Sequence, residues 1–178
     1  VFFWGSNARE AHPIWFHHLL KGIRNGTRLY VMDPRRTASA QWADVWLGLR
    51  VGSDIALSNA MAREIIHAGL AHTDFIARST EGFEAYRTSV ESCTLEWAEP
   101  ITGIPADVIR AAAPTFAKAD RALVCCTLGI TEHPTAVHHA LALDSSRLLT
   151  GPLCRWGRGA HPVTAHNTRR GAGPRAVP

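Results

Sequence analysis

The sequence predicts an α/β fold: an open, mostly parallel sheet with helices on both faces. Four short apolar runs that stop at small, polar or charged residues predict this class: VFFWGSNAREAH, LYVMDPRR, VWLGLRVGSD and ALVCCTLGITEH, at 1–12, 29–36, 45–54 and 122–133. Buried parallel strands are near-continuous apolar runs. Because their carboxyl ends share one edge, where ligands bind, the residues that follow them predict a dinucleotide-type crevice.

The first β-α-β unit occupies the first 32 residues. Strands are predicted over 1–4 and 28–32, with Gly5-Ser6-Asn7 as the turn after the first. Asn7 with Glu10 three residues later has the pattern of a helix start. A helix from Pro13 to the Asn25-Gly26 end signal has a predicted inner face of Ile14, Phe16, Leu19, Leu20 and Ile23.

The remaining elements follow in the same alternation. We predict a short crossover over 37–44, a strand over 45–50 and a helix that Asp54 caps and that ends near His67. Pro114 should kink or shorten a helix over 104–118. The other predicted elements are short helices at 73–78, 81–91 and 94–99, a strand at 122–128 and a helix at 135–149.

Two parts of the chain differ in composition. Residues 1–150 are predicted to form the α/β domain, with a helical insertion at about 70–118. Residues 151–178 carry Gly, Pro, Arg and His without apolar periodicity, which predicts an extended loop or tail. Because the chain opens without Met, directly in a strand, and ends in this tail, we expect an internal piece of a larger, multi-domain subunit.

Composition excludes several function classes. Hydrophobic residues make up 46%, which is enough for a core and argues against global disorder. The net charge of +4 comes largely from arginines in the tail, where Trp156 is the one aromatic residue, so nucleic-acid binding is not expected. No segment predicts membrane insertion. The four cysteines lack C-x-x-C spacing, so no zinc or iron–sulfur site is predicted in this chain, and Cys125 and Cys126 are predicted core thiols.

Three turns carry candidate ligand contacts. Gly5-Ser6-Asn7 could approach a phosphate at a helix start, or it could be a plain strand–helix turn; the absence of G-x-G-x-x-G disfavours a nicotinamide cofactor. Asp33 could bind a ribose hydroxyl, with Arg35 on a base or phosphate, or it could simply open an Asp-Pro turn. Asp54 could cap its helix or accept two N–H donors from a guanine edge.

Histidines form a second group of candidates. His17-His18 and His138-His139 are adjacent pairs on helices, so each pair points two ways and predicts solvated side chains rather than a metal face. His133 follows Gly129-Ile130-Thr131 at a predicted strand end and is expected to face the crevice.

Six segments, in order along nearly the whole chain, resemble the catalytic subunits of molybdopterin oxidoreductases of the dimethyl sulfoxide reductase superfamily, and formate dehydrogenase alpha subunits most closely. These segments are WGSNAREAHP, VMDPRRTASAQWAD, LRVGSDIALSNAM, ITGIPADVIRAAA, GITEH and LLTG, at 4–13, 31–44, 49–61, 101–113, 129–133 and 148–151. An ordered set of spaced motifs is more specific than any one of them.

The resemblance implies a bis-molybdopterin guanine dinucleotide cofactor with molybdenum or tungsten, and a 4Fe-4S cluster in an upstream part of the subunit. It implies formate as substrate, electron-transfer subunits as partners, and a cytoplasmic or alternatively periplasmic location. It favours the ligand roles of Asp33 and Asp54 over the structural ones. The implied cofactor contacts are Gly5, Ser6, Asn7 and Glu10 along one dinucleotide, Asp33, Pro34 and Arg35 at its ribose and guanine, Gly52, Ser53 and Asp54 at the guanine edge, Leu128, Gly129, Thr131, Glu132 and His133 at a pterin, and Asn167 in the tail.

The tail departs from the family pattern. The family's substrate arginine and the glutamine after it correspond to Thr164 and His166, and Cys154 replaces a glycine. No catalytic residue and no metal ligand is therefore assigned in this segment. A cation would orient a small anion such as formate. A nitrate or other oxyanion reductase, and a non-catalytic homologue that kept the fold, stay open as alternatives, whereas a generic α/β nucleotide-binding module is disfavoured.

Overall fold

A computed structural model describes residues 1–151 and the backbone of 159–162. It contains a five-stranded sheet in the order β3-β2-β1-β4-β5, in which every neighbouring pair is parallel. The strands are β1 (Phe2–Trp4), β2 (Tyr30–Met32), β3 (Val45–Leu47), β4 (Leu123–Cys126) and β5 (Gly159–Pro162). The predicted open parallel sheet is confirmed.

Nine helices lie in the described residues, together with a 3₁₀ turn at Ala40–Trp42. They are α1 (Ala8–Ala11), α2 (Pro13–Arg24), α3 (Asp54–His67), α4 (Thr73–Ser79), α5 (Phe83–Val90), α6 (Leu95–Thr102), α7 (Ala106–Lys118), α8 (Leu128–Thr131) and α9 (Ala136–Leu149). The longest has 14 residues, and in the part of the chain that is described no helix is long and apolar enough to cross a bilayer.

Alternate residues of β1 face opposite sides of the sheet, so each side has its own core. Phe3 packs with Val31 and with α2 residues such as Phe16. Phe2 and Trp4 pack on the other side, in the larger cluster formed with residues of α3, α6, α7 and α9. The period of two along a strand produces this division, and it confirms the prediction of helices on both faces.

Three local predictions are wrong. Helix α7 is not shortened at Pro114: it continues through the proline, which lacks an N–H, to Lys118, and residues on both sides such as Ile109 and Phe116 pack in the core. The predicted strand over 122–128 stops at Cys126, and Leu128 begins α8. Ile14, predicted on the inner face of α2, is 77% exposed.

The tail also differs from its prediction. Within 151–178, predicted as an extended loop, residues Gly159–Pro162 form β5 beside β4. Such edge strands depend on a partner strand for their hydrogen bonds, which periodicity in the sequence does not reveal. The proposed division at residue 150 and the insertion at 70–118 stay predictions.

Candidate functional site

Four turns leave the sheet at its carboxyl edge. Trp4 is level with Met32 on one side and Cys126 on the other, and Met32 is level with Leu47. The strand order changes direction between β1 and β4, which makes this the switch point of the sheet. Ligands of open α/β sheets bind in the crevice outside the strand ends at such a point.

The turns after β1 and β4 are in direct backbone contact. The Gly5 N–H donates to the Met32 carbonyl at 2.9 Å, and the Gly5 carbonyl accepts from Thr127 Oγ1 at 2.6 Å and from the Gly129 N–H at 3.2 Å. Gly5 has φ +56°, and a Cβ on it would lie 2.9 Å from the Gly129 backbone. A Cβ on Gly129 would lie 2.7 Å from Gly5. Both positions therefore require glycine.

Ser6 and Asn7 complete the turn after β1. Ser6 is fully buried and its hydroxyl has no hydrogen-bond partner. Asn7 precedes α1, as its spacing to Glu10 predicts, but its side chain does not cap the helix. Instead Asn7 Nδ2 donates to Glu10 Oε2 at 2.7 Å, and Asn7 Oδ1 accepts from the buried Ser39 hydroxyl at 3.1 Å. These bonds tie the turn to the crossover after β2.

Asp33 directly follows β2 and is buried, with 5% of its surface exposed. Its Oδ1 accepts the Arg35 N–H at 2.8 Å, which is the predicted Asp-Pro turn, with Pro34 and Arg35 exposed. Burial raises the pKa of the Asp33 carboxyl, the Arg35 backbone bond and charge lower it, and the nearby Asp54 charge raises it further. A hydrogen-bond donor supplied by a ligand would therefore stabilise the ionised form of this carboxyl group.

Asp54 does not cap its helix. It is the first residue of α3 and follows the N-cap position Ser53, and its Oδ1 accepts the Trp4 indole N–H at 2.7 Å. The prediction of a capping Asp54 is therefore wrong, because a donor 50 positions away in the chain competes for the carboxylate. Asp54 is half-buried and joins the end of β1 to the start of α3.

Gly52 and Ser53 form the loop that delivers Asp54. Gly52 has φ +83°, and a Cβ on it would lie 3.4 Å from His133 Nε2. Ser53 is buried and its hydroxyl donates to the Arg50 carbonyl at 2.6 Å. The loop after β3 thus lies against His133, which follows α8.

The residues after β4 are spread between the crevice and the core. Leu128, Gly129, Thr131 and Glu132 are exposed, whereas Ile130 between them is buried. They form α8 rather than the strand end that the sequence predicts. Gly129 lies against Gly5, and His133 lies against Gly52, so this segment contacts the turns after β1 and β3.

His139 is buried, contrary to the prediction of a solvated side chain. His138 is exposed as predicted, but His139 is 1% exposed, and its ring centroid lies 4.5 Å from that of His133. Its Nε2 lies 3.4 Å from Thr135 Oγ1, and its Nδ1 is buried without a partner. Burial lowers the pKa of His139, and the Asp54 charge raises it. Spacing offers the missed signal: His139, Leu143 and Ser146 form one buried stripe of α9.

Two further predictions concern cysteines and metals. Cys125 is fully buried, and burial raises the pKa of its thiol to about 12, so it is a core thiol as predicted; Cys126 is partly buried. Among residues 1–151, no group of three or more His, Cys, Asp or Glu side chains could hold a metal ion. Four sites named from the sequence lie outside the described residues: Cys154, Thr164, His166 and Asn167.

A family model for molybdopterin oxidoreductases matches residues 1–173. The chain belongs to this family. It is 41% identical over 172 residues to formate dehydrogenase H of Escherichia coli K12, which covers 97% of this chain and 24% of that protein. It is 37% identical over 169 residues to the alpha subunit of a formate dehydrogenase of Methanococcus maripaludis, covering 95% of this chain and 25% of that protein. The chain thus spans about a quarter of the length of these relatives.

A solved structure shares the fold. Acetylene hydratase from Pelobacter acetylenicus superposes with a TM-score of 0.82 at 30% identity, over 88% of this chain and 22% of that protein. The α/β architecture is therefore that of the molybdopterin oxidoreductase family. Membership implies a molybdopterin cofactor with molybdenum or tungsten.

The residues at the carboxyl edge fit such a group. Its phosphate needs N–H and hydroxyl donors, and the buried Ser6 hydroxyl lacks a partner. Asp33 and Asp54 each present a carboxylate whose described hydrogen bond uses a single oxygen, which leaves acceptors for a ligand. Family membership and the chemistry of the edge therefore agree.

Proposed function

We propose that this chain is the guanine-dinucleotide-binding segment of a molybdopterin-dependent formate dehydrogenase. The observation that carries the proposal is the convergence of the Gly5, Asp33 and Asp54 turns at one edge. Gly5 donates to the residue before Asp33, Trp4 donates to Asp54, and the charges of Asp33 and Asp54 influence one another. A plain strand–helix turn at any one of these places would not require the other two.

Each turn has a role in this proposal. The Gly5-Ser6-Asn7 turn, with Glu10 bonded to Asn7, lies along the phosphates of one dinucleotide, because free amides at a helix start favour anions. Asp33, with Pro34 and Arg35, holds its ribose and guanine region. Gly52, Ser53 and Asp54 bind the guanine edge, since a carboxylate accepts two N–H donors side by side.

The segment after β4 is proposed to contact a pterin. Its exposed residues are Leu128, Gly129, Thr131 and Glu132, followed by His133. Asn167 is proposed as a further contact. The complete cofactor would be bis-molybdopterin guanine dinucleotide, with a 4Fe-4S cluster in an upstream part of the protein and electron-transfer subunits as partners.

When bound, the metal of this cofactor takes electrons from the substrate, whereas the protein supplies binding, orientation and electrostatics. In this segment the buried Asp33 and the tethered Asp54 fix the position of the nucleotide end, and the close contact of Gly5 with Gly129 leaves no room for a side chain at either position. Location in the cytoplasm or periplasm stays a prediction.

Two formate dehydrogenases at 41% and 37% identity support formate as the substrate. The fold alone does not select it, since acetylene hydratase shares the architecture. Thr164 at the position of the family's arginine leaves the anion without that cationic partner. Formate oxidation by this protein therefore requires another cation near the substrate.

The first test is metal analysis of the longer protein that contains this chain, with pterin measured by fluorescence after oxidative release. We expect molybdenum or tungsten and about two pterins per chain, and formate-dependent reduction of an artificial electron acceptor. If the protein is produced in a host that makes the cofactor and contains neither metal nor pterin, this result contradicts the proposal. Cofactor without formate activity would retain the binding role and exclude formate as the substrate.

A pair of variants tests the site. Asp33→Asn removes a carboxylate charge at the carboxyl edge of the sheet. Asp44→Asn removes a carboxylate charge toward the opposite edge, where Asp44 Oδ2 accepts the Leu29 N–H just before β2. We expect Asp33→Asn to lower the guanine dinucleotide content per chain and Asp44→Asn to leave it unchanged. Equal content in both variants would contradict the role of Asp33.

A further inference from the structure

We propose that Trp4 is a positioning residue that orients the Asp54 carboxylate toward the guanine edge of the bound dinucleotide. The proposal rests on the function proposed above and adds a residue that does not itself touch the ligand. It makes discrimination of guanine depend on the last residue of β1, which lies in the core, as well as on the loop that carries Asp54.

The geometry of Trp4 suits this role. Its indole N–H donates to Asp54 Oδ1 at 2.7 Å, while the ring is 4% exposed and packs in the larger core cluster. β1 lies between β2 and β4, so the backbone of Trp4 is fixed on both sides. An indole N–H can only donate, so its partner must present an acceptor.

The geometry of Asp54 explains why orientation matters. Guanine offers two N–H donors on one edge, and a carboxylate that accepts both must lie in the plane of the base. The side chain of Asp can otherwise rotate among several conformers. The indole fixes one oxygen of the carboxylate from the core side, which leaves Oδ2 and a second lone pair of Oδ1 for the ligand.

The start of helix α3 lies at the same place. Asp54 is the first residue of a 14-residue helix, and a helix start stabilises a negative side chain. The charge of Asp54 acts on two titratable groups, His139 and Asp33, and Gly52 of its own loop lies against His133. No lysine or arginine side chain in the described residues makes an ion pair with Asp54. Among the described residues, the hydrogen bond from the Trp4 indole is therefore the main restraint on the Asp54 carboxylate.

A purely structural role is the competing explanation, in which the bond only joins β1 to α3. A double-mutant cycle separates the two, with Trp4→Phe, Asp54→Asn and the double variant in the longer protein prepared without cofactor. The probes are guanosine diphosphate and inosine diphosphate, since inosine lacks the exocyclic amino group. The measured quantity is the ratio of their dissociation constants by calorimetry.

We expect Trp4→Phe to reduce the preference for the guanine nucleotide by about tenfold, the size of one lost charge-assisted hydrogen bond. In the Asp54→Asn background the same change should have no further effect, because Trp4 acts through the carboxylate. Trp97→Phe, on the partly exposed α6 surface, removes an indole elsewhere and should leave the ratio unchanged.

The outcomes are distinct. If Trp4→Phe keeps the preference while Asp54→Asn loses it, or if the two changes are additive, the positioning role is overturned and the proposed function stands. If the unmodified protein does not prefer guanosine over inosine diphosphate, the proposed function of Asp54 fails first. Should Trp4→Phe not fold, 3-benzothienylalanine at position 4 keeps the ring shape without the N–H and gives the same two outcomes.

Discussion

Asp33 and Asp54 lie at the same edge of the sheet, after neighbouring strands, but they are held in different ways. Asp33 accepts a hydrogen bond from Arg35, two residues away, and its turn is formed by adjacent residues. Asp54 accepts from Trp4, 50 residues away, across the crevice. The side-chain carboxylate is thus restrained by a neighbouring amide in Asp33 and by a distant indole in Asp54.

The turn after β1 extends the contrast. Gly5 is fixed by bonds from Thr127 and Gly129, more than 120 positions along the chain. The edge therefore combines one carboxylate held by its own turn with two turns held by distant partners. Changes in the distant contacts should disturb the site as a whole, whereas changes to the Asp33 carboxylate should remain local.

The largest effect is expected from Gly5→Ala. A Cβ there would lie 2.9 Å from the Gly129 backbone, and overpacking against backbone costs about 1–3 kcal/mol beyond the cost of the positive φ. Gly69→Ala is the matched control, since Gly69 has a similar φ of +65° with nothing within 4 Å. Urea unfolding of the two variants measures the difference, and equal losses of stability would show that the Gly5–Gly129 contact is not restrictive.

A smaller effect separates two tryptophans. Trp4→Phe removes an indole bond to a carboxylate, worth about 1.5–3 kcal/mol, and Trp46→Phe removes one to the Asp33 carbonyl, worth about 0.5–1.5 kcal/mol. Trp4 is also the more buried ring, which increases its expected cost. Far-UV circular dichroism during urea unfolding measures both, and a larger loss at Trp46 would reverse the assigned order of the two restraints.

His139 should make stability depend on pH in mildly acidic solution. Because burial lowers its folded pKa, the unfolded chain takes up a proton first as pH falls below the ordinary value of 6.5. The free energy of unfolding should therefore decrease as the pH is lowered through that window. His139→Asn should flatten the fall, and the exposed His18→Asn should not; thermal unfolding between pH 7 and pH 5 compares them.

The smallest effect is expected from Asp33, and its sign is opposite. Burial raises its folded pKa above the ordinary 3.8, so the unfolded chain loses its proton first as pH rises. Asp33 should therefore reduce the free energy of unfolding progressively above about pH 4. Asp33→Asn should be more stable than the unmodified chain at neutral pH in the absence of ligand. A variant that is less stable at neutral pH would contradict the assigned direction.

Strands β1 to β4 follow from the sequence, because each of them is an apolar run that ends near polar residues, whereas β5 does not. Asp33 could be placed for the same reason: an Asp-Pro pair after a strand forms its turn from its own neighbours. The starts and ends of α3 and α9, and the core thiol Cys125, also follow from local patterns.

Tertiary structure decided the rest. Local chemistry assigned Asp54 to a helix cap, and only the fold supplies the stronger donor, Trp4. His139 is buried because α9 packs on α3, and the adjacent-pair pattern contains no trace of that contact. The need for glycine at Gly129 arises from Gly5, more than 120 residues away. Sequence by itself determined what neighbouring residues form together; which distant groups meet depends on how the elements pack.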